Sequence, residues 1–421
     1  MNSLAFPPAR RLSGAVRVPP SKSATNRALV LAALSRTPVQ VIDPLDAEDP
    51  RALLACLETM GARVSRVSGG ISLHGPLSGG RDVAVLDAKD SGTAARFLLA
   101  VAAATGGEFR VTGSKRLCER PMGELFSALR SLGAGIREEG ASGCLPVLVS
   151  GGKLSGGSVA VDASRSSQFL SALMLAGAAG VDIEVRASGP VASAPYAALT
   201  AETLRAFGHG VDGAGPWRVS RGVRSPERYE IPGDFSSAIP LLAAVGAAGG
   251  DILLEGLTWP SPEADAGAVP VLEKMGVRIS AERGGLAARA DSRAVAAVQV
   301  VAADFPDAVP ALAALAVFAP GESRFDGIAH LRFKESDRLA SLADILGRAG
   351  ALASAEGGAL VVRGGLAGRA SASLPTFRDH RMAMAAGVLA VGRPGVRIED
   401  PDCVGKSYPG FFRDLDSLCE R

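Results

Sequence analysis

The sequence predicts an α/β protein of two domains, each assembled from three similar βα subdomains. Three observations carry that prediction. The chain has 421 residues, enough for two to three domains at roughly 150 residues each. Its composition, 47% hydrophobic and 21% charged, belongs to a chain that can bury a large core, which excludes disorder as its main state. A strand-like segment, a Ser- or Asp-bearing break and an Ala/Leu-rich run of helical length recur six times.

The six segments open at Leu12, Gly79, Leu154, Arg228, Ala297 and Ala370. Aligned on their helix starts, they place Arg27, Arg96, Gln168, Ala238, Ala308 and Arg381 at equivalent positions, 69, 72, 70, 70 and 73 residues apart. Such a period is too long for a solenoid and leaves room for a second helix and further strands. Second helices are expected at 50–60, 122–132, 196–207, 264–275 and 336–349, each followed by a Gly that stops the helix. Six repeats divide into two groups of three. The strand of the first repeat and that of the fourth, around Tyr229, are equivalent, so both chain crossings are expected beside them. The expected domains are 18–229, and 1–17 together with 230–421.

The formal charge of +2 is too small for a dedicated nucleic-acid binder. Five scattered cysteines without a CxxC pair, and four histidines without a ligand-spaced pair, indicate neither a disulfide framework nor a metal cluster. The N-terminus lacks the apolar stretch of a secretory signal, and apolar runs such as 308–321 fall short of a membrane span. The expectation is a soluble cytoplasmic protein.

Each main helix opens with Ser, Thr or Asp. One reading is N-capping, worth ~1 kcal/mol per cap. The other is an anion site on free helix N–H groups. Several openings stand beside a cation, which points to an anionic ligand. PSKSATNR offers Lys22, Ser23 and Arg27; DSGTAAR puts Gly92 at the strand–helix turn; ERPM sets Arg120 before Pro121. SRSSQF supplies Ser166 and Ser167 with no His near enough for a triad, so these hydroxyls read as binders of phosphate or sugar-like hydroxyls. FPDAVPALAAL puts Asp307 before an apolar helix, as a cap or as a site group. FKESDRL places Lys334 and Arg338 four residues apart on one expected helix face, with Glu335 between. DHRMAM carries Arg381 at a helix start and VGKSYPG carries Lys406 in a Gly/Pro loop.

Together PSKSATNRAL, DSGTAARFL, ERPM, SSQFLSALM, FPDAVPALAALA, FKESDRL, DHRMAMA and GKSYPGFF resemble the 5-enolpyruvylshikimate-3-phosphate synthase family, in order, from Lys22 to Phe412. The resemblance implies a two-domain inside-out α/β barrel of six βαβαββ repeats, three per domain, closing on a cleft. It implies transfer of the enolpyruvyl group of phosphoenolpyruvate to the 5-hydroxyl of shikimate 3-phosphate. No metal or cofactor takes part, and glyphosate occupies the phosphoenolpyruvate pocket. Carried over by motif, phosphoenolpyruvate would meet Lys22, Gly92, Arg120, Gln168, Arg338, Arg381 and Lys406. Shikimate 3-phosphate would meet Lys22, Ser23, Arg27, Ser166, Ser167, Gln168, Ser193, Asp307 and Lys334, with Tyr196 close by. Asp307 is the candidate base, with Glu335 and Lys22 or Lys406 on the acid side.

Three departures bear on affinity and its pH dependence: Asp90 and His330 stand where the family commonly has Asn, and Ala194 replaces a Lys seen in some members. The sister family acting on UDP-N-acetylglucosamine uses a cysteine five residues before the Arg-Pro pair, where this chain has Lys115. A non-catalytic anion binder would not need Asp307 and Glu335 among its cations. Cations on the two domains are expected to stand unpaired until dianionic substrates arrive. The expected partners are two small molecules acting on a monomer, with no nucleic acid and no membrane.

Overall fold

The Ala/Leu-rich runs are apolar on every face, so as helices they must be enclosed. The computed structural model describes residues 2–80, 82–152, 154–222, 224–291, 294–365 and 371–421; Ala370, which opens the sixth segment, lies outside them. The chain divides into two compact units, Pro20–Ile231 and Met1–Pro19 with Pro232–Arg421, each crossing falling two residues beyond the expected boundary.

The continuous unit contains α1 (Lys22–Leu34), α2 (Glu48–Thr59), α3 (Gly92–Ala104), α4 (Lys115–Cys118), α5 (Gly123–Ser131), α6 (Gln168–Ala178) and α7 (Pro195–Ala206). Helices α1, α3 and α6 are the Ala/Leu-rich runs; nearly every residue of each is buried, and they pack on one another. The others are the expected second helices, with α4 added.

Three four-stranded sheets surround this core with one shared order. In the second repeat, Ala84–Asp87 runs parallel to Gly107–Thr112, which pairs antiparallel with Val147–Gly151, which pairs antiparallel with Gly135–Glu138. The third repeat uses Gly157–Val161, Ile183–Ala187, Trp217–Ser220 and Gly210–Asp212 in the same way. In the first, the leading strand is Arg228–Glu230, parallel to Val39–Ile42.

The discontinuous unit contains α8 (Phe235–Ala248), α9 (Val269–Lys274), α10 (Val309–Ala316), α11 (Arg338–Arg348), α12 (His380–Gly392) and α13 (Phe411–Ser417). Helices α8, α10 and α12 form its buried core. The helix expected at 264–275 is divided into a 3-10 helix, Ala264–Ala268, and α9, because Gly267 and Pro270 weaken the continuous α ladder. The strand Gln299–Val301 leads a sheet of the shared order. Strand Arg11–Arg17 lies parallel to Gly250–Glu255, so the strand that precedes α1 in sequence belongs to the other unit's sheet. The two equivalent strands have changed places. Ser3–Ala5 completes the last sheet, antiparallel to Val396–Glu399.

The equivalence of the six aligned helix positions is only approximate. Arg27 lies five residues beyond the first residue of α1, whereas Ala308 lies one before α10. Three repeats share a tight detail where the third strand of the shared order ends beneath a helix C-terminus. A Cβ on Gly75 would stand 2.7 Å from the Ala33 carbonyl oxygen; on Gly151 it would overlap those of Ala102 and Thr105, and on Gly364 that of Ala316. Backbone carbonyls cannot rotate away as side chains can. Gly151→Ala is therefore expected to destabilise the protein by about 1–3 kcal/mol, read as a lower urea midpoint at unchanged slope. An unshifted midpoint would mean the strand end moves freely.

Candidate active site

In the continuous unit the candidate residues gather at the N-terminal ends of α1, α3, α6 and α7. Ser21 and Ser91 cap α1 and α3, accepting from the N–H groups of Ala24 and Ala94 at 3.2 Å each. Ser167, at the same place on α6, makes no capping bond. Its buried side chain is therefore not used as the capping reading requires, while Ser166 Oγ accepts from Gln168 N at 3.3 Å.

Lys22 begins α1 and its ammonium lies 3.3 Å from Asp49 on α2. Arg27 is buried and held by Thr200 Oγ1 (2.7 Å), the carbonyls of Ser23 (2.9 Å) and Tyr196 (3.0 Å), and Ser171 Oγ (3.3 Å). Its guanidinium also packs against the Phe97 and Tyr196 rings. Ser193 is buried at positive φ just before α7.

A residue the motifs did not assign joins Gly92 to Gln168. Arg96 Nη1 donates to the Gly92 carbonyl at 2.9 Å and to Gln168 Oε1 at 3.1 Å, and Gln168 Nε2 in turn donates to Thr93 Oγ1 at 3.0 Å. The guanidinium of Arg120 lies so near Gly92 that a Cβ there would fall 2.6 Å from its Nη1. Gly92, Arg96, Arg120 and Gln168 thus form one knot. Asp90 accepts a hydrogen bond from Ser114.

In the discontinuous unit six candidates form one continuous network. Arg338 is 1% exposed and binds three carboxylates: Asp379 Oδ2 at 2.8 Å, Asp307 Oδ1 at 2.8 Å and Glu335 Oε2 at 3.0 Å. Asp307 also meets Lys334 at 3.7 Å and Arg381 at 3.5 Å, and Glu335 meets Lys406 at 3.4 Å. Arg381 donates to the Ser236 carbonyl at 2.7 Å. Burial alone would lower the Arg338 pKa, but Asp379, Asp307 and Glu335 outweigh it and hold the guanidinium charged.

Three expectations change here. Lys334 ends a 3-10 helix, Ala329–Phe333, in extended backbone, and α11 starts only at Arg338, so the two cations share no helix face. They meet through Asp307 instead. Asp307 is not the cap of α10, because Ala308 holds that position and its N–H donates to Asp265 at 3.1 Å. Nor do the cations stand unpaired: Lys22, Lys334, Arg338, Arg381 and Lys406 each have a carboxylate partner.

Asp49, Asp265, Asp379, Thr200 and Ser171 were legible only as ordinary helix-end or helix residues. Asp379, two residues before Arg381 in DHRMAM, was the one with a nearby signal. Among the described residues, no three His, Cys, Asp or Glu side chains group as a metal site.

His330 is 6% exposed. Burial, reinforced by Lys334 and Arg338 against the opposing pull of Asp307, drives its pKa down to about 3, so the ring is neutral at neutral pH.

The sequence model of the family described as EPSP synthase (3-phosphoshikimate 1-carboxyvinyltransferase) matches residues 7–415. A 3-phosphoshikimate 1-carboxyvinyltransferase of Thermococcus kodakarensis is 39% identical, over 98% of this chain and 99% of its own. One of Methanocorpusculum labreanum is 36% identical, over 97% and 96%. The structure of EPSP synthase from Acinetobacter baumannii superposes with a TM-score of 0.79 at 25% identity, over 99% of this chain and 98% of that one.

The neutral His330 sets a pH dependence of stability. Between its ordinary value of 6.5 and about 3, the unfolded chain binds a proton that the folded protein does not, so stability falls as pH falls through that window. The loss is about 1.4 kcal/mol per pH unit below the upper limit. His330→Asn is expected to lose roughly 2 kcal/mol less than wild type between pH 7 and pH 5 in urea unfolding. Equal losses in both proteins would mean that His330 protonates in place.

Proposed function

The chain belongs to the EPSP synthase family, and from that premise we propose that it transfers the enolpyruvyl group of phosphoenolpyruvate to the 5-hydroxyl of shikimate 3-phosphate, releasing phosphate, in aromatic amino acid biosynthesis. The observation that carries the reading is Asp307. It is a carboxylate, 15% exposed, held among Lys334, Arg338 and Arg381 in a network otherwise suited to anions. Anion binding does not need a carboxylate among the cations except to balance Arg338, whereas removing a hydroxyl proton needs a base, which Asp307 can be.

In this reading the 5-hydroxyl oxygen adds to C2 of phosphoenolpyruvate, its proton passes to Asp307, and the methylene C3 gains a proton from the acid side, Glu335 with Lys22 or Lys406. The resulting tetrahedral ketal then expels phosphate, which carries away the proton held by Asp307, and returns the C3 proton to the acid group. No covalent enzyme intermediate is needed. Lys22, the Gly92 backbone, Arg120, Gln168, Arg338, Arg381 and Lys406 take phosphoenolpyruvate. Lys22, Ser23, Arg27, Ser166, Ser167, Gln168, Ser193, Asp307 and Lys334 take shikimate 3-phosphate.

The uncapped Ser167 hydroxyl supports a ligand role for the SRSSQF turn. The repeated sheet order supports the two-domain inside-out α/β barrel of six βαβαββ repeats. We place the enzyme in the cytoplasm as a monomer; no helix among the described residues is long and apolar enough to cross a membrane.

Phosphate release is expected with shikimate 3-phosphate and not with UDP-N-acetylglucosamine as acceptor; release with the UDP-sugar alone would reverse the assignment. Asp307→Asn should lower kcat by about two to four orders of magnitude, the range of a lost general base, while shikimate 3-phosphate still binds by calorimetry. Near-normal turnover would leave Asp307 as a partner of Arg338 only. Gly92→Ala adds a methyl that overlaps Arg96 Nη1 and stands 2.6 Å from Arg120 Nη1, so both guanidinium groups must move. The KM for phosphoenolpyruvate should rise more than that for shikimate 3-phosphate. Equal changes would separate Arg120 from phosphoenolpyruvate.

A further inference from the structure

At the C-terminal ends of α1 and α6 the continuous unit holds a half-open cavity of about 510 Å³, within the size range of small-molecule sites. Thirteen residues of α1 separate it from Lys22, about 20 Å at 1.5 Å per residue, so it is distinct from the substrate residues. Three kinds of surface meet in it. Leu34, Leu77 and Ala178 supply apolar contact. Arg36 and Arg221 supply exposed guanidinium groups with no carboxylate in ion-pair range among the described residues. In the last turns of α1 and α6, Ser35, Ala179 and Gly180 N–H groups already donate to the carbonyls of Ala32, Ala176 and Gly177, which leaves those of Leu34 and Ala178 at the negative end of each helix dipole.

The loop carrying Arg221 is pinned by a neighbouring ring: Gly222 N donates to His209 Nδ1 at 2.9 Å, and burial keeps that imidazole on the neutral side. Cations near helix C-termini offset the dipole on their own. That role needs neither a cavity nor an apolar wall.

We propose that this cavity binds a free α-amino acid with an apolar side chain. Its carboxylate lies on Arg36 and Arg221, its ammonium at the carbonyl ends of α1 and α6, and its side chain on Leu34, Leu77 and Ala178. A guanidinium fork suits a carboxylate, and the helix ends suit a cation. A simple anion would satisfy the arginines but meet the helix ends with the wrong sign.

The test uses the full chain with ring-labelled histidine. Its four histidines are His74, His209, His330 and His380, and His209 alone lines the cavity, so its ring signal is the reporter. L-phenylalanine, 3-phenylpropanoate (no ammonium) and phenethylamine (no carboxylate) are titrated in turn. L-phenylalanine is expected to move the His209 signal saturably in roughly the millimolar range, and about tenfold more tightly than either half-molecule. The double variant Arg36→Gln, Arg221→Gln should weaken it by about tenfold or more, with phosphate release from the substrates unchanged. An unmoved His209 signal, equal binding of 3-phenylpropanoate, or wild-type affinity in the double variant would each overturn the proposal.

Discussion

The discontinuous unit depends on the charge balance of one buried guanidinium. Arg338 is 1% exposed, and its three carboxylate partners arrive from different places: Asp307 ahead of α10, Glu335 ahead of α11, Asp379 at the start of α12. Removing one partner from a buried ion network leaves uncompensated charge, at a cost of about 3–5 kcal/mol. The helices that carry these groups are fixed relative to one another by this requirement as well as by their apolar packing. The same carboxylates pass the constraint outward, because Asp307 also holds Lys334 and Arg381, and Glu335 also holds Lys406. In the proposed reading, an anion that binds these cations competes with carboxylates already present.

The continuous unit solves the same problem with different chemistry. Arg27 is positioned by hydroxyls and backbone carbonyls, and Arg96 by the Gly92 carbonyl and the Gln168 amide oxygen. Neutral oxygens orient a guanidinium without cancelling its charge. Lys22 is the exception in this unit, since it pairs with Asp49 at 3.3 Å. Arg27 and Arg96 are thus oriented by neutral oxygens, and Arg338 by carboxylates.

Much of this was legible in the sequence. The 70-residue spacing and the Gly stops exposed the repeats and most second helices, because local periodicity and termination are written in consecutive residues. The exchange of Arg11–Arg17 and Arg228–Glu230 was implied by the expected crossings beside them, but their pairing partners were not, because two strands of the same pattern serve either sheet equally well. Asp307 could not be separated from a helix cap by its neighbours; only Ala308 taking the cap position and bonding Asp265 decides it. The partnerships of Lys22 with Asp49 and of Arg27 with Thr200 join residues far apart in the chain, where spacing carries no signal. Arg96 was visible in DSGTAAR as a repeat position, yet its bridging role rests on Gln168, 72 residues on.

The central claim, that the cations of the discontinuous unit bind substrate by exchange with resident carboxylates, is tested most directly by the dissociation constant of phosphoenolpyruvate in Glu335→Gln with shikimate 3-phosphate saturating. Loss of that charge removes the Glu335 contact to Lys406 and, in the proposed reading, a like charge beside the anion. The account predicts binding about tenfold tighter than wild type even as turnover falls. Binding equal to wild type, or weaker, would contradict it and would make Glu335 a support for the cations rather than their competitor.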